Sequence, residues 1–153
     1  MNTSTPQPAD SPKIRLSQIG EPVIDIPAPT QMGGDIDSAN LKIQYNVLVR
    51  VIRPESRVAV IVSMTYLSEH TKLFSGSLTT GFDVVDLAAF ITEKKGEDSF
   101  RIENDFLPML INIAFSTTRG YFARELQGSV LASYPFPMIS MENIRKRTTY
   151  QLV

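Results

Sequence analysis

At 153 residues the chain is long enough for one domain with a modest core, and short for an enzyme that must enclose a pocket. With 42% hydrophobic and 20% charged residues it is composed like a globular protein, which excludes wholesale disorder, and a net charge of −1 gives no field to draw it onto nucleic acid or anionic lipid. Cysteine is absent, which excludes disulfides, thiolate nucleophiles and cysteine-ligated metals and suits a reducing compartment.

Residues 1–12 are mostly Thr, Ser, Pro, Gln and Asn, with too little to bury to offset the entropy of ordering them, so they read as a disordered arm ahead of one domain over 13–153. They carry no basic and apolar leader pattern, and no later stretch approaches about eighteen uninterrupted apolar residues. A cytoplasmic protein without stable membrane insertion is therefore expected.

From Lys13 to Ile26 the apolar residues Ile14, Leu16, Ile19, Val23, Ile24 and Ile26 alternate imperfectly around Gly20 and Pro22. That predicts a strand with a bulge or kink, placed by Pro22 at a sheet edge. Pro27, Pro29, Gly33 and Gly34 predict a loop. Leu41 to Ile52 alternates cleanly, Val58 to Leu67 is a second β-branched run, and Lys72 to Val85 is a further strand whose Gly76 and Gly81 mark bulges or close backbone approach. Short connections, Pro54-Glu55-Ser56 and Ser68-Glu69-His70, join these as antiparallel neighbours. The period then changes. Asp86 to Ile91 reads as a short helical turn, Glu93 to Asp98 as a charged loop, and Asn104 to Ser133 as one long helix capped by Asn104 or Asp105 and too apolar to bury a single stripe. Tyr134-Pro135-Phe136-Pro137-Met138-Ile139 must be extended, and a short helix starts near Met141. The fold class expected is α+β, a four-stranded antiparallel sheet followed by one long helix, an extended crossover and a short terminal helix.

No glycine-rich phosphate loop, nucleophile elbow or zinc helix motif occurs. His70, the only histidine, falls in a polar connection with no nucleophile motif nearby. The acids Glu93, Glu97, Asp98, Glu103 and Asp105 alternate with Lys94, Lys95 and Arg101, as on a solvated surface rather than around a metal. Ser116-Thr117-Thr118-Arg119-Gly120 falls mid-helix, where no backbone N–H is free for a phosphate, and Arg145-Lys146-Arg147 lacks the aromatic interleaving of a nucleic-acid patch. Neither catalysis, nor a cofactor, nor a metal is expected.

Ile26-Pro27-Ala28-Pro29, Thr71-Lys72-Leu73-Phe74 through Thr80-Gly81-Phe82, Phe122-Ala123-Arg124-Glu125 and Phe136-Pro137-Met138-Ile139 occur in that order. Together they make the chain, over roughly 13–144, resemble the SecB family of bacterial protein-export chaperones. The resemblance implies a dimer of dimers that holds unfolded polypeptides, without ATP, in apolar grooves of sheet, long helix and crossover. The groove residues would be Phe115, Phe122, Tyr134, Phe136, Met138, Ile139 and Met141. It also implies contact with the SecA motor through first-strand acids, here Glu21 and Asp25, or in divergent branches protection of an antitoxin. Ser77 stands where the family has an acid, Arg119-Gly120 precedes rather than follows the aromatic-Ala-Arg-Glu match, and no acidic tail follows Arg147. Two other readings fit a sheet with an apolar helix: an adaptor with one defined partner, and a hotdog-type thioesterase, whose helix comes before most of its strands.

Overall fold

A computed structural model describes residues 12–30, 39–93, 100–102 and 106–153. The arm assigned to 1–12 (all but its last residue), Gly33 and Gly34, most of the charged loop with Glu97, Asp98, Glu103 and Asp105, and the cap at Asn104 or Asp105 lie outside them.

Three long strands form the centre of the fold: β3 (Leu41–Ile52), β4 (Arg57–Ser68) and β5 (Thr71–Val84). β3 and β4 pair antiparallel without a break from Leu41↔Ser68 to Ile52↔Arg57. The register is fixed by the alternation itself, because a slip of one residue would turn the buried Val47, Val49, Val51, Val58, Val60, Val62, Met64 and Tyr66 to the opposite face. The intervening turn contains a short 3₁₀ segment, Arg53–Glu55, closed by Ser56 in the left-handed region. Glu69 and His70 alone connect Ser68 to Thr71, with Glu69 also at positive φ.

The N-terminal segment forms one edge in two pieces, β1 (Ile14–Ile19) and β2 (Val23–Ile26), both antiparallel to β5. The break falls at Gly20-Glu21-Pro22, as the proline predicts, and the register also shifts between Leu16 and Gln18, the latter paired with Gly81. The backbone approach is closest at Gly76. A Cβ there would lie 3.1 Å from Cζ of Phe122 and from the carbonyl oxygen of Val23, and 3.2 Å from Cδ1 of Ile24.

The expected four-stranded antiparallel sheet is corrected to a six-stranded mixed one, in the order β1-β5-β4-β3-β8 with β2 also beside β5. β8 (Thr148–Leu152) runs parallel to β3, from Val47↔Thr148 to Val51↔Leu152, beyond the short terminal helix that is the last element expected. A separate two-stranded ribbon, β6 (Ile91–Glu93) with β7 (Phe100–Ile102), flanks the expected charged loop. The turn before it is 3₁₀, Leu87–Phe90. Strands, not one long helix, dominate the fold.

The long helix is also shorter than its apolar run. α1 spans Leu107–Glu125 rather than extending to Ser133. It stops because Gly128 adopts φ +79° and the Ser129 hydroxyl, donating to the Leu126 carbonyl and accepting from the Leu131 amide, satisfies the backbone in turns instead. Leu107, Leu110, Ile111, Ala114, Phe115, Thr118 and Phe122 are buried, a single stripe at helical spacing laid over β4 and β5. Within the chain the helix therefore buries one face, not several. A short second helix, α2 (Met141–Lys146), starts where expected, with the Ser140 hydroxyl accepting from the Asn143 amide.

Candidate functional site

The aromatic residues of the crossover and helix converge on one cluster. Phe136 meets Tyr45, Tyr66 and Phe115 edge to face at centroid distances of 6.1, 6.4 and 5.7 Å, and Tyr45 meets Phe115 at 5.5 Å. The chain of rings continues from Tyr66 to Phe74 at 6.1 Å and from Phe74 to Phe122 at 5.3 Å. This geometry suits the ring quadrupoles and pins the crossover to the sheet. Two prolines keep the segment extended, and Phe136 between them enters the core as a peg.

The seven residues assigned to a groove consequently lie at three depths. Phe115, Phe122 and Phe136 are inside the core; Tyr134, Ile139 and Met141 are half-buried at its margin; Met138 is 87% exposed. The Tyr134 carbonyl accepts a 2.7 Å hydrogen bond from the buried Tyr66 hydroxyl, whose pKa is pushed up to about 12 by burial. A second tether joins the Val130 amide to the Pro29 carbonyl. The structure brings the rings together to anchor the crossover and leaves Met138 as its accessible apolar tip.

Other accessible apolar side chains are ones the sequence reading did not select. Leu16, Ile19 and Val23 lie exposed along β1 and β2, with Val85 nearby at the end of β5. Leu16 and Ile19 pair with Phe82 and Thr80 on the face that α1 covers over β4 and β5, and are exposed because the outermost strand extends beyond that shelter; Val23 pairs with Ser77 on the opposite face. Pro22 was the available signal, since an edge strand is sheltered least. On the outer side of α1, Met109, Ile113 and Tyr121 are exposed, and an open recess of about 410 Å³ is lined by Ser116, Thr117, Gly120, Tyr121 and Arg124. The hydroxyls of Thr117 and Thr118 donate to their own helix, to the Ile113 and Ala114 carbonyls, instead of bridging to another element.

Glu21 and Asp25 are exposed on the same edge as Leu16 and Val23. Ser77 is half-buried in β5, paired with Val23 and Ser63. Asp83 accepts from Arg15 at 2.7 Å and from Arg57 at 3.4 Å, and the Arg15 hydrogen bond holds its carboxyl below the usual range. His70 is exposed in its two-residue turn, and Arg145, Lys146 and Arg147 are exposed at the end of α2. Among the described residues, no three His, Asp or Glu side chains converge as a metal site, and no helix is long and apolar enough to cross a membrane. Comparison with protein-family models, with curated proteins and with solved structures returned no match.

Proposed function

We propose that this chain is an ATP-independent holdase that binds unfolded or aggregation-prone polypeptides and performs no catalysis. The observation that carries this reading is the open apolar edge of β1 and β2, where Leu16, Ile19 and Val23 flank a strand whose one neighbour among the described residues is β5. An uncovered strand offers unpaired N–H and C=O groups, and exposed aliphatic side chains beside them complete a template for an extended chain. Met138 adds a flexible thioether on the crossover, suited to varied partners. Glu21 and Asp25 punctuate the edge with charge, which discourages indiscriminate edge-to-edge pairing.

In this reading the outer face of α1, with Met109, Ile113 and Tyr121, is the surface for self-association into dimers and dimers of dimers. Clients are exported precursors or an antitoxin, and for the export role Glu21 and Asp25 are the residues assigned to the SecA motor. The decisive experiment measures light scattering from a chemically unfolded client diluted into the purified protein. Suppression at near-stoichiometric ratio is expected. A well-folded protein that leaves aggregation unchanged overturns the reading, and saturable binding to one folded protein with indifference to unfolded chains makes it an adaptor instead.

A further inference from the structure

We infer, independently of the holdase reading, that the sheet face turned away from α1 docks an acidic segment of a partner protein and receives one of its carboxylates at Arg50. Side chains on this face alternate with the buried Val47, Val49, Val51, Val58, Val60 and Val62, so the strand register assigns them. Arg15, Asp83 and Arg57 share one row across β1, β5 and β4. Gln18, Gly81, Ala59, Arg50 and Gln151 share the next, and Lys42, Leu67 and Lys72 share a row at the other end of β3. Lys42, Asn46, Lys72 and Thr79 are exposed on this face. The three rows carry five cations, with Asp83 as their single acid, in a chain whose net charge is −1.

The cations differ in what they already hold. Arg15 and Arg57 share Asp83, and Glu55 lies 3.9 Å from Arg57. Arg50, Lys42 and Lys72 have no acidic partner among the described residues. Arg50 is half-buried, and its Nε is shut off from solvent without an acceptor. A guanidinium N–H left that way destabilises the free fold, and a carboxylate is the group whose two oxygens match the guanidinium fork. Rotation about the arginine's own side-chain bonds presents that edge to an arriving carboxylate. Among the described residues three buried side-chain polar atoms lack a hydrogen bond, and a second of them, Ser17 Oγ, borders the same row, 3.4 Å from where a Cβ on Gly81 would stand. Between these two donors the row holds only Gly81 and Ala59, so its floor is low where the carboxylate would sit. None of the three rows contains an aromatic residue on which bases could stack. Acids also outnumber cations over the rest of the chain, which repels a long polyanion or an anionic bilayer more than a short acidic segment.

Fluorescence anisotropy tests this on the full-length chain, with a labelled peptide of alternating glutamate and serine as the probe. Saturable binding that weakens with added salt is expected. Arg50→Met keeps the aliphatic stem and removes the guanidinium. It should weaken binding by about tenfold, the worth of a charge-assisted hydrogen bond, while the urea midpoint stays level or rises because an unpaired donor is gone. Arg50→Lys keeps the charge without the fork and should recover little of the affinity. Arg124→Met, on α1 and so on the other side of the sheet, should leave the affinity unchanged. No binding, or equal binding by Arg50→Met and the unaltered chain, overturns the inference. So does a lowered urea midpoint for Arg50→Met, which makes Arg50 a residue of the fold. Tighter capture of a single-stranded oligonucleotide of matched charge gives the face to nucleic acid, and a smaller particle for Arg50→Met gives it to a second copy; either outcome overturns the acidic segment as occupant. No arm uses an unfolded client, so the holdase reading stands or falls separately.

Discussion

The Tyr66 hydroxyl donates to the Tyr134 carbonyl oxygen across 2.7 Å, joining the middle strand of the sheet to the start of the crossover over 68 residues of sequence. Tyr66 is fully buried and in edge contact with Phe136, so one side chain fixes the crossover by a polar and an aromatic contact together. Tyr66→Phe should cost about 0.5–1.5 kcal/mol at neutral pH, the usual net worth of one intramolecular hydrogen bond. The same phenol adds an alkaline signature. Burial raises its pKa from 10.0 to about 12, so the unfolded chain ionises first. The contribution is complete below 10.0 and is lost as pH rises through about 12. Urea midpoints measured across that window should fall for the unaltered chain, and Tyr66→Phe should fall less.

Gly76→Ala should destabilise the fold by about 1–3 kcal/mol, the typical cost of overpacking. The added methyl meets the Phe122 ring and the Val23 carbonyl at 3.1 Å, and a backbone oxygen cannot yield as a side chain does. Gly120→Ala is the contrast: its Cβ would find nothing within 4 Å, and alanine in an exposed helix interior should stabilise a lone subunit by up to about 1 kcal/mol. Equilibrium denaturation of the two variants should move in opposite directions; a Gly76→Ala protein as stable as the parent contradicts the packing at this crossing.

The Arg15, Asp83 and Arg57 group ties β1, β5 and β4 together on one sheet face. Hydrogen bonding from Arg15, and then from Arg57, lowers the Asp83 pKa from 3.8. A depressed carboxylate contributes above its unfolded value, and that contribution is lost as pH falls through the lower folded value. Asp83→Asn should therefore flatten the acid limb of the stability profile, and only slightly, because the Arg15 side chain is 80% exposed and its pair is screened by solvent. Chemical denaturation at successive pH values below 5, compared between the two proteins, reads this out.

Phe136→Ala and Met138→Asp separate the structural role of the crossover from its proposed role in recognition. Phe136 fills a ring cluster in the core, and its truncation should cost about 3–5 kcal/mol. Met138 touches little, so Met138→Asp should stay within about 0.5 kcal/mol of the parent in stability. Its effect should instead appear as weaker suppression of client aggregation. Unchanged suppression by a folded Met138→Asp protein would remove Met138 from the binding surface.

The outer face of α1 carries the fifth test, that of the proposed self-association. Tyr121→Asp places a charge on a face that exposes Met109 and Ile113 and buries nothing of the subunit. If this face mediates the proposed assembly, light scattering should report a smaller particle with an unchanged circular dichroism spectrum; an unaltered mass overturns that assignment.

The sequence by itself determined the three central strands, because strict alternation over Leu41–Ile52 and its neighbours admits one buried face and hence one register. It determined the broken edge as well, since Pro22 and Gly20 act locally whatever surrounds them. Local pattern also located the crossover and the start of α2. Tertiary structure decided the rest. Thr148–Leu152 alternates over too few residues to mark a strand by itself, and the backbone of β3, about a hundred residues earlier, makes it one. The apolar run after Glu125 looked helical until Gly128 and Ser129 offered the backbone other partners. Apolar character alone could not distinguish Phe136 from Met138, two residues apart on the same extended segment. Their opposite fates, one ring in the core and one thioether in water, follow from where the sheet and helix leave space, which a linear pattern does not record.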